Sequence, residues 1–125
     1  MDLAVLLVNE DRKDRYWSHY NELKEYCEAQ SLEGRDHPFL WESLADFTID
    51  DRASLDLYFM ALDLAVGDDA RPYRASIRFA LAERYKNLGE HSLAREYAIA
   101  ADDEAKSIDD LALRRRISQF LLTEN

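Results

Sequence analysis

Three histidines and one cysteine are the side chains of this sequence best suited to bind a metal or act as a nucleophile. His19, His37 and His91 lie far apart, and His19 is followed three residues later by Glu22, at the spacing of a helical ligand pair. One such pair is common by chance, so we expect no metal site. A nucleophilic Cys27 would need a base and electropositive surroundings, and on its tyrosine-rich apolar helix face we expect a core residue instead.

Four pairs of adjacent aspartates raise the question of calcium binding: Asp50-Asp51, Asp68-Asp69, Asp102-Asp103 and Asp109-Asp110. None belongs to a loop of alternating acids with a central glycine and a terminal glutamate. Three of the pairs stand at predicted helix starts, where carboxylates cap backbone amides. The sequence has no glycine-rich phosphate loop, and 26 acidic residues make paired carboxylates uninformative about acid–base catalysis. We therefore predict a non-enzymatic protein without a cofactor.

Few turn residues interrupt the chain, which has 125 residues but only three glycines and two prolines. Long helices fit this composition better than a β-sandwich does, because hairpins need many turn residues. We predict one all-α domain, residues 1–125, built as an antiparallel helix-pair array of about six helices. Hydrophobic periodicity places them at 11–32, 39–47, 52–66, 68–88, 90–107 and 111–122. Residues 2–8 contain β-branched valines and could form a strand, but no second strand is predicted to pair with it, so we expect a short helix or the first turns of a longer one.

The predicted helix ends rest on capping residues. Gly34 is expected to end the first long helix, and Asp36 to cap the next one, whose first turn holds Pro38. Thr48 followed by Asp51 resembles a capping box, as does Ser107 followed by Asp110. The helix 52–66 is apolar nearly all round, so we expect it to be the central buried helix.

Aromatic residues crowd the first long helix. Trp17, Tyr20, Leu23 and Cys27 follow the spacing of one buried face. Tyr16 and Tyr26 lie off that stripe, so they are either peripheral core residues or exposed anchors for a partner.

Residues 72–106 carry a pattern of small and aromatic residues around one glycine. The pattern consists of Leu81, Ala82, Tyr85, Gly89, Ala94, Tyr97, Ala98 and Ala101. It resembles a tetratricopeptide repeat (TPR), in which two antiparallel helices cross closely at small residues. Arg78 and Lys106 depart from the family's preferences for a large residue and a proline. Residues 38–66 are a more degenerate match, through Trp41, Leu44 and Ala45.

The TPR resemblance implies a right-handed stack of helix pairs and a concave face that grips a peptide segment. The residues that would line this groove come from the first helix of the repeat: Ser76, Phe79, Glu83 and Lys86.

Charge is distributed unevenly along the chain, whose net charge is −10. Residues 42–69 contain eight acids and one base, and residues 71–86 contain five bases and one acid. This asymmetry indicates either intrachain pairing between neighbouring helices or a surface for a partner. Such an acidic chain disfavours nucleic acid and anionic membranes as partners and favours a basic protein.

Two function hypotheses follow. The first is an acidic immunity- or antitoxin-type inhibitor that blocks a basic, nuclease-like toxin through an acidic ridge including Asp56 and Asp63. The second is a TPR-like adaptor or chaperone that uses the groove. The partner-binding residues we predict are Asp46, Asp50, Asp56, Asp63, Asp68, Asp69, Tyr16, Phe79 and Glu83. The apolar run Leu3 to Val8 is too short to span a membrane, and we expect a cytoplasmic protein.

Overall fold

A computed structural model describes residues 3–123 of the chain, with side chains from residue 12 onward. All regular structure in this range is helical: six α-helices and one short 3₁₀ turn. The described residues divide into two compact units, 3–36 and 37–123. The predicted all-α class is confirmed. None of the described helices is both long and apolar enough to cross a lipid bilayer.

The first unit is one helix, α1, which spans Leu3–Leu32. Residues 3–8 are therefore the first turns of a longer helix, while Asp2 lies outside the described residues. α1 ends at Gly34, where a positive φ of 71° lets Arg35 N donate to Gln30 O and close the last turn. The predicted role of Gly34 as the helix terminator is thus confirmed.

The aromatic face of α1 differs from the prediction. Cys27 is fully buried, but Trp17, placed on the inward stripe, is 43% exposed. Tyr16, considered as an exposed anchor, is half-buried and meets the Trp17 ring edge-on at 5.5 Å. Tyr26 is exposed as expected. Neighbouring rings on one helix therefore shield each other, which the spacing of apolar residues does not show.

The second unit contains the other five α-helices, and each packs on the next in sequence. They are α2 (Pro38–Asp46), α3 (Asp51–Leu64), α4 (Arg71–Asn87), α5 (His91–Ala105) and α6 (Leu111–Thr123), with the 3₁₀ turn at Asp68–Ala70 before α4. Packing between consecutive helices gives the predicted antiparallel array. Helix boundaries agree with the predicted ones to within about three residues at each end.

α4 and α5 form the tightest contact of this unit. Alanines at 75, 82, 94, 98, 101 and 105 are all fully buried between them or against α6. Small side chains let the two backbones approach, and the stacked rings of Tyr85 and Tyr97, 5.5 Å apart, fill the space at the side. Gly89, at φ 76°, allows the three-residue turn between the helices, in which Glu90 N donates to Tyr85 O.

The expected central position of α3 is wrong. Its buried residues are confined to one face, and Met60 on the opposite face is 42% exposed. α4 takes the central place instead, because it packs against α2, α3 and α5. Apolar content alone suggested α3, whereas burial depends on how many neighbours a helix has.

Three capping predictions also need correction. His37, and not Asp36, caps α2, because its Nδ1 accepts a hydrogen bond from Phe39 N at 3.1 Å. Thr48 donates backwards to Leu44 O, and Asp50 caps α3 through Ala53 N. α6 is capped by Asp110, which accepts from Leu113 N at 3.0 Å. Aspartate thus serves as the N-cap at two of the predicted acidic pairs.

Candidate functional site

A concave pocket of about 370 Å³ opens between side chains of α2, α3, α4 and α6. Most of its wall belongs to α4, which contributes Ser76, Phe79, Glu83 and Asn87 from one helix face at spacings of three and four residues. Asp46 closes it from α2, Tyr58 from α3 and Arg116 from α6. The rigid α4–α5 pair therefore supports the site from behind.

Tyr58 and Asp46 form a short polar contact on one side of the pocket. The Tyr58 hydroxyl donates to Asp46 Oδ1 at 2.5 Å. Burial, and then this hydrogen bond, raise the pKa of Tyr58 far above its ordinary value, so the phenol stays a donor at every physiological pH. Asp46 itself is exposed, which keeps its carboxylate accessible from the pocket.

Ser76 connects the pocket to a buried carboxyl group. Its hydroxyl donates to Glu42 Oε2 at 2.5 Å, and Glu42 is a buried residue of α2. Burial raises the pKa of Glu42, the hydrogen bond from Ser76 opposes that change, and the charge of Asp46 adds to it. A buried acid with a single strong donor indicates that this wall tolerates negative charge at some cost.

Arg84 holds the adjoining helix ends together. Its guanidinium donates to Ala45 O at 3.2 Å, at the C-terminal end of α2, and to Asp51 Oδ1 at 3.1 Å, in the first turn of α3. The same group stands 5.9 Å from the centre of the Tyr58 ring. A cation at a helix C-terminus is electrostatically favoured, and here the side chain is only 16% exposed. Arg84 is therefore a structural clamp for the pocket.

Arg116 crosses from α6 to the α4 side of the pocket. Its guanidinium carbon lies 5.1 Å from the centre of the Phe79 ring, and Nη2 is 3.4 Å from Glu83 Oε1. The pKa of Glu83 is raised above its ordinary value, because the effect of partial burial exceeds the opposing effects of Arg116 and Arg84. Phe79 is held in turn by an edge-on contact with Phe120 at 5.6 Å.

Acidic groups outnumber basic ones around the pocket. Asp46 and Glu83 line it, Asp51 is bonded to Arg84, and Glu42 is bonded to Ser76. The guanidinium groups at the site are Arg84 and Arg116. Asp46 and Glu83 are the two carboxylates that line the pocket itself, so these are the groups that would face a cationic ligand.

Three of the predicted binding residues meet at this pocket: Asp46, Phe79 and Glu83. Phe79 is only 3% exposed, so it offers a ring face and not a protruding side chain. Ser76, Phe79 and Glu83, three of the four residues predicted for the groove, line this pocket, whereas Lys86 lies over Phe120, 5.3 Å from the ring centre.

The other predicted residues lie elsewhere. Asp56 and Asp63 are exposed on the outer stripe of α3, with Met60 between them. Asp50 is used as a helix cap, and Asp68 lies 3.5 Å from Arg71. Asp69, like Asp68, belongs to the 3₁₀ turn, and Tyr16 belongs to α1 in the other unit. The five aspartates named here do not line the pocket.

The basic segment 71–86 largely pairs within the chain. Arg74 and Arg78 donate to Glu104 Oε1 on α5 at 3.0 and 2.6 Å, and Arg71 lies 3.6 Å from Oε2. Arg84 pairs with Asp51, as described above. Of the two alternatives for the charge pattern, intrachain pairing accounts for these four arginines.

Sequence reasoning did not identify Tyr58, Arg84 and Arg116 as site residues. Tyr58 stands in an apolar run of the helix predicted to be central and buried, and the sequence does not show which groups Arg84 and Arg116 contact. Long arginine side chains reach across helices, and no spacing rule shows where they end. The only sequence signal was Arg84 itself, a cation four residues from the predicted helix end.

Residues 12–123 contain neither a candidate metal site nor an activated nucleophile. No three metal-ligating side chains converge there, and His19 and Glu22 form a solvent-exposed contact of 3.9 Å. Burial raises the pKa of the Cys27 thiol, which keeps it protonated.

Comparison with protein-family models, with curated proteins and with solved structures finds no match to this chain. The site is therefore interpreted from its own geometry.

Proposed function

We propose that this chain is a non-enzymatic protein-binding module that receives a cationic segment of a partner protein in the pocket between α2, α3, α4 and α6. The observation that carries the proposal is the convergence of Asp46, Phe79 and Glu83 on one concave surface. The TPR resemblance supports the same mode of binding, since such helix pairs grip segments on a concave face. We also propose that the protein is cytoplasmic.

A basic toxin-like protein is the second candidate partner, bound by the outer face of α3. Asp56 and Asp63 are exposed there on either side of Met60, which is itself exposed. Acids around an apolar residue suit a basic protein surface, and long-range attraction would speed capture. This is the immunity-type inhibitor hypothesis, and it uses a different surface from the pocket.

The experiment that separates the two is a pair of charge-matched double variants. Asp46→Asn with Glu83→Gln removes both carboxylates that line the pocket, and Asp56→Asn with Asp63→Asn removes two carboxylates from the outer face of α3. Each removes two negative charges and keeps the side-chain shape. The partner would first be captured from native lysate with the tagged wild-type chain at low and high salt, and its affinity then measured for each variant.

Pocket binding predicts that the first variant loses at least about tenfold in affinity, mostly as faster dissociation, and that the second changes only the association rate. The reverse pattern would support the inhibitor hypothesis. Equal and small effects of both variants would contradict both placements of the binding surface.

A further inference from the structure

The pocket already holds a cation, and it belongs to the protein itself. Arg116 places its guanidinium over the Phe79 ring and against the Glu83 carboxylate, at 5.1 and 3.4 Å. An aromatic face and a carboxylate are the two features that proteins use together to bind a guanidinium group from another molecule. Arg116 thus shows what kind of group fits this part of the pocket.

The contact made by Arg116 is weak enough to be displaced. Its side chain is 60% exposed and the Glu83 side chain 47% exposed, and ion pairs with that much solvent around them contribute little. Asp46, which lines the same pocket from α2, accepts from Tyr58 and is exposed. A guanidinium arriving from solution is not tethered to α6, so it can approach both carboxylates.

We propose that the pocket recognises an arginine side chain of the partner, and that Arg116 occupies its place in the free protein. The proposal rests on the proposed function, because it names the partner group received by that pocket. Arginine is favoured over lysine because its planar group stacks on Phe79 while its N–H groups point at carboxylates. Arg116 then lowers the apparent affinity for the partner, because binding requires it to leave first.

The sign of one substitution tests this directly. Arg116→Ala should bind an arginine probe about fivefold more tightly than wild type, because the competing side chain is gone. Arg115→Ala is the matched control: it removes the same charge one residue earlier, on an exposed position of α6 outside the pocket. Glu83→Gln should weaken binding in both backgrounds.

The probes are N-acetyl-arginine amide and N-acetyl-lysine amide, titrated into ¹⁵N-labelled full-length protein. Chemical-shift changes at the amides of residues 76–87 report binding, and circular dichroism melting shows that each variant is folded. The expected result is that Arg116→Ala binds the arginine probe more tightly than Arg115→Ala does. Every variant should bind the lysine probe more weakly than it binds the arginine probe.

Three results would overturn the proposal. Arginine binding by Arg116→Ala no tighter than by Arg115→Ala would remove the placeholder role, and equal binding of both probes would remove the guanidinium preference. The absence of arginine binding by all variants would refute the inference. The proposed function would survive that last result if the Asp46→Asn, Glu83→Gln double variant still lost affinity for the captured partner.

Discussion

α4 meets α5 through fully buried alanines, with the Arg74 and Arg78 pairs to Glu104 beside them, whereas Ser76 and Arg84 form hydrogen bonds from α4 to α2 and α3. On the α5 side, Ala82, Ala94 and Ala98 are fully buried. On the other side, Ser76 bonds to Glu42 and Arg84 bonds to Asp51 and the last carbonyls of α2. Close backbone packing leaves no room for a ligand, whereas polar side chains of different lengths leave a pocket. The candidate pocket thus lies where α4 meets α2, α3 and α6, and not at its contact with α5.

The largest effect is expected from enlarging a residue in the contact between α4 and α5. Ala98→Leu forces three extra carbons into the α4–α5 contact, where Ala98 has no exposed surface. We expect a loss of about 3 kcal/mol in the free energy of unfolding, measured by urea denaturation. Ala112→Leu on the exposed side of α6 is the control, with a change within about 0.5 kcal/mol. Similar losses in both variants would show that the α4–α5 contact has no special closeness.

Removal of the clamp on the polar side should have the next largest effect. Arg84→Met keeps most of the apolar stem and deletes the guanidinium that bonds Asp51 and Ala45 O. The expected loss is about 2 kcal/mol, because these partners are left unsatisfied in a partly buried place. Arg114→Met, at an exposed position of α6, is the matched control and should be nearly neutral. A neutral Arg84→Met variant would mean that solvent replaces the clamp.

Glu104 gives a pH-dependent prediction on the α5 side. Burial alone would raise its pKa, but hydrogen bonds from Arg74 and Arg78 outweigh burial and lower the pKa below the ordinary 4.5. The stabilisation it provides is therefore complete above about pH 4.5 and is lost as the pH falls through the lowered pKa. Glu104→Gln should cost about 1.5 kcal/mol at pH 7, and this difference should disappear at the acid end of a denaturation series.

Glu42 should behave in the opposite way, with the smallest effect. Burial raises its pKa above the ordinary 4.5, so the charged form destabilises the fold at neutral pH. Glu42→Gln keeps an oxygen that accepts from Ser76 and should stabilise the protein at pH 7 by up to about 1 kcal/mol. The gain should shrink as the pH falls through the raised pKa, because wild-type Glu42 is then neutral too. A destabilised Glu42→Gln variant would show that the charge is needed at this site.

The contact between α4 and α5 was the more predictable of the two regions. Alanine spacing around Gly89 indicates close helix crossing, since this relation depends only on backbone geometry and side-chain size. Likewise Gly34 indicates a helix end because its positive φ suits glycine. These features are local in sequence and follow from one or two residues at a time.

The polar side was only partly predictable. The face of α4 with Phe79 and Glu83 follows from periodicity and the TPR resemblance, but the partners of that face do not. Tyr58 bonds to Asp46 twelve residues away, and Arg84 reaches Ala45 thirty-nine residues away. Such pairs depend on the relative positions of helices, and residue spacing along one helix contains no information about them. The same limit explains why Thr48 was assigned to the helix after it and not to the one before it.

The packing of helices on their sequence neighbours also sets an order in time. α4 and α5 are joined by three residues, so their contact closes a very short loop and should form early in folding. The pocket needs side chains from α2, α3, α4 and α6, and it is complete only after the most distant of these helices have docked. Binding competence is therefore expected to be the last property that the chain acquires as it folds and the first that it loses when its ends fray.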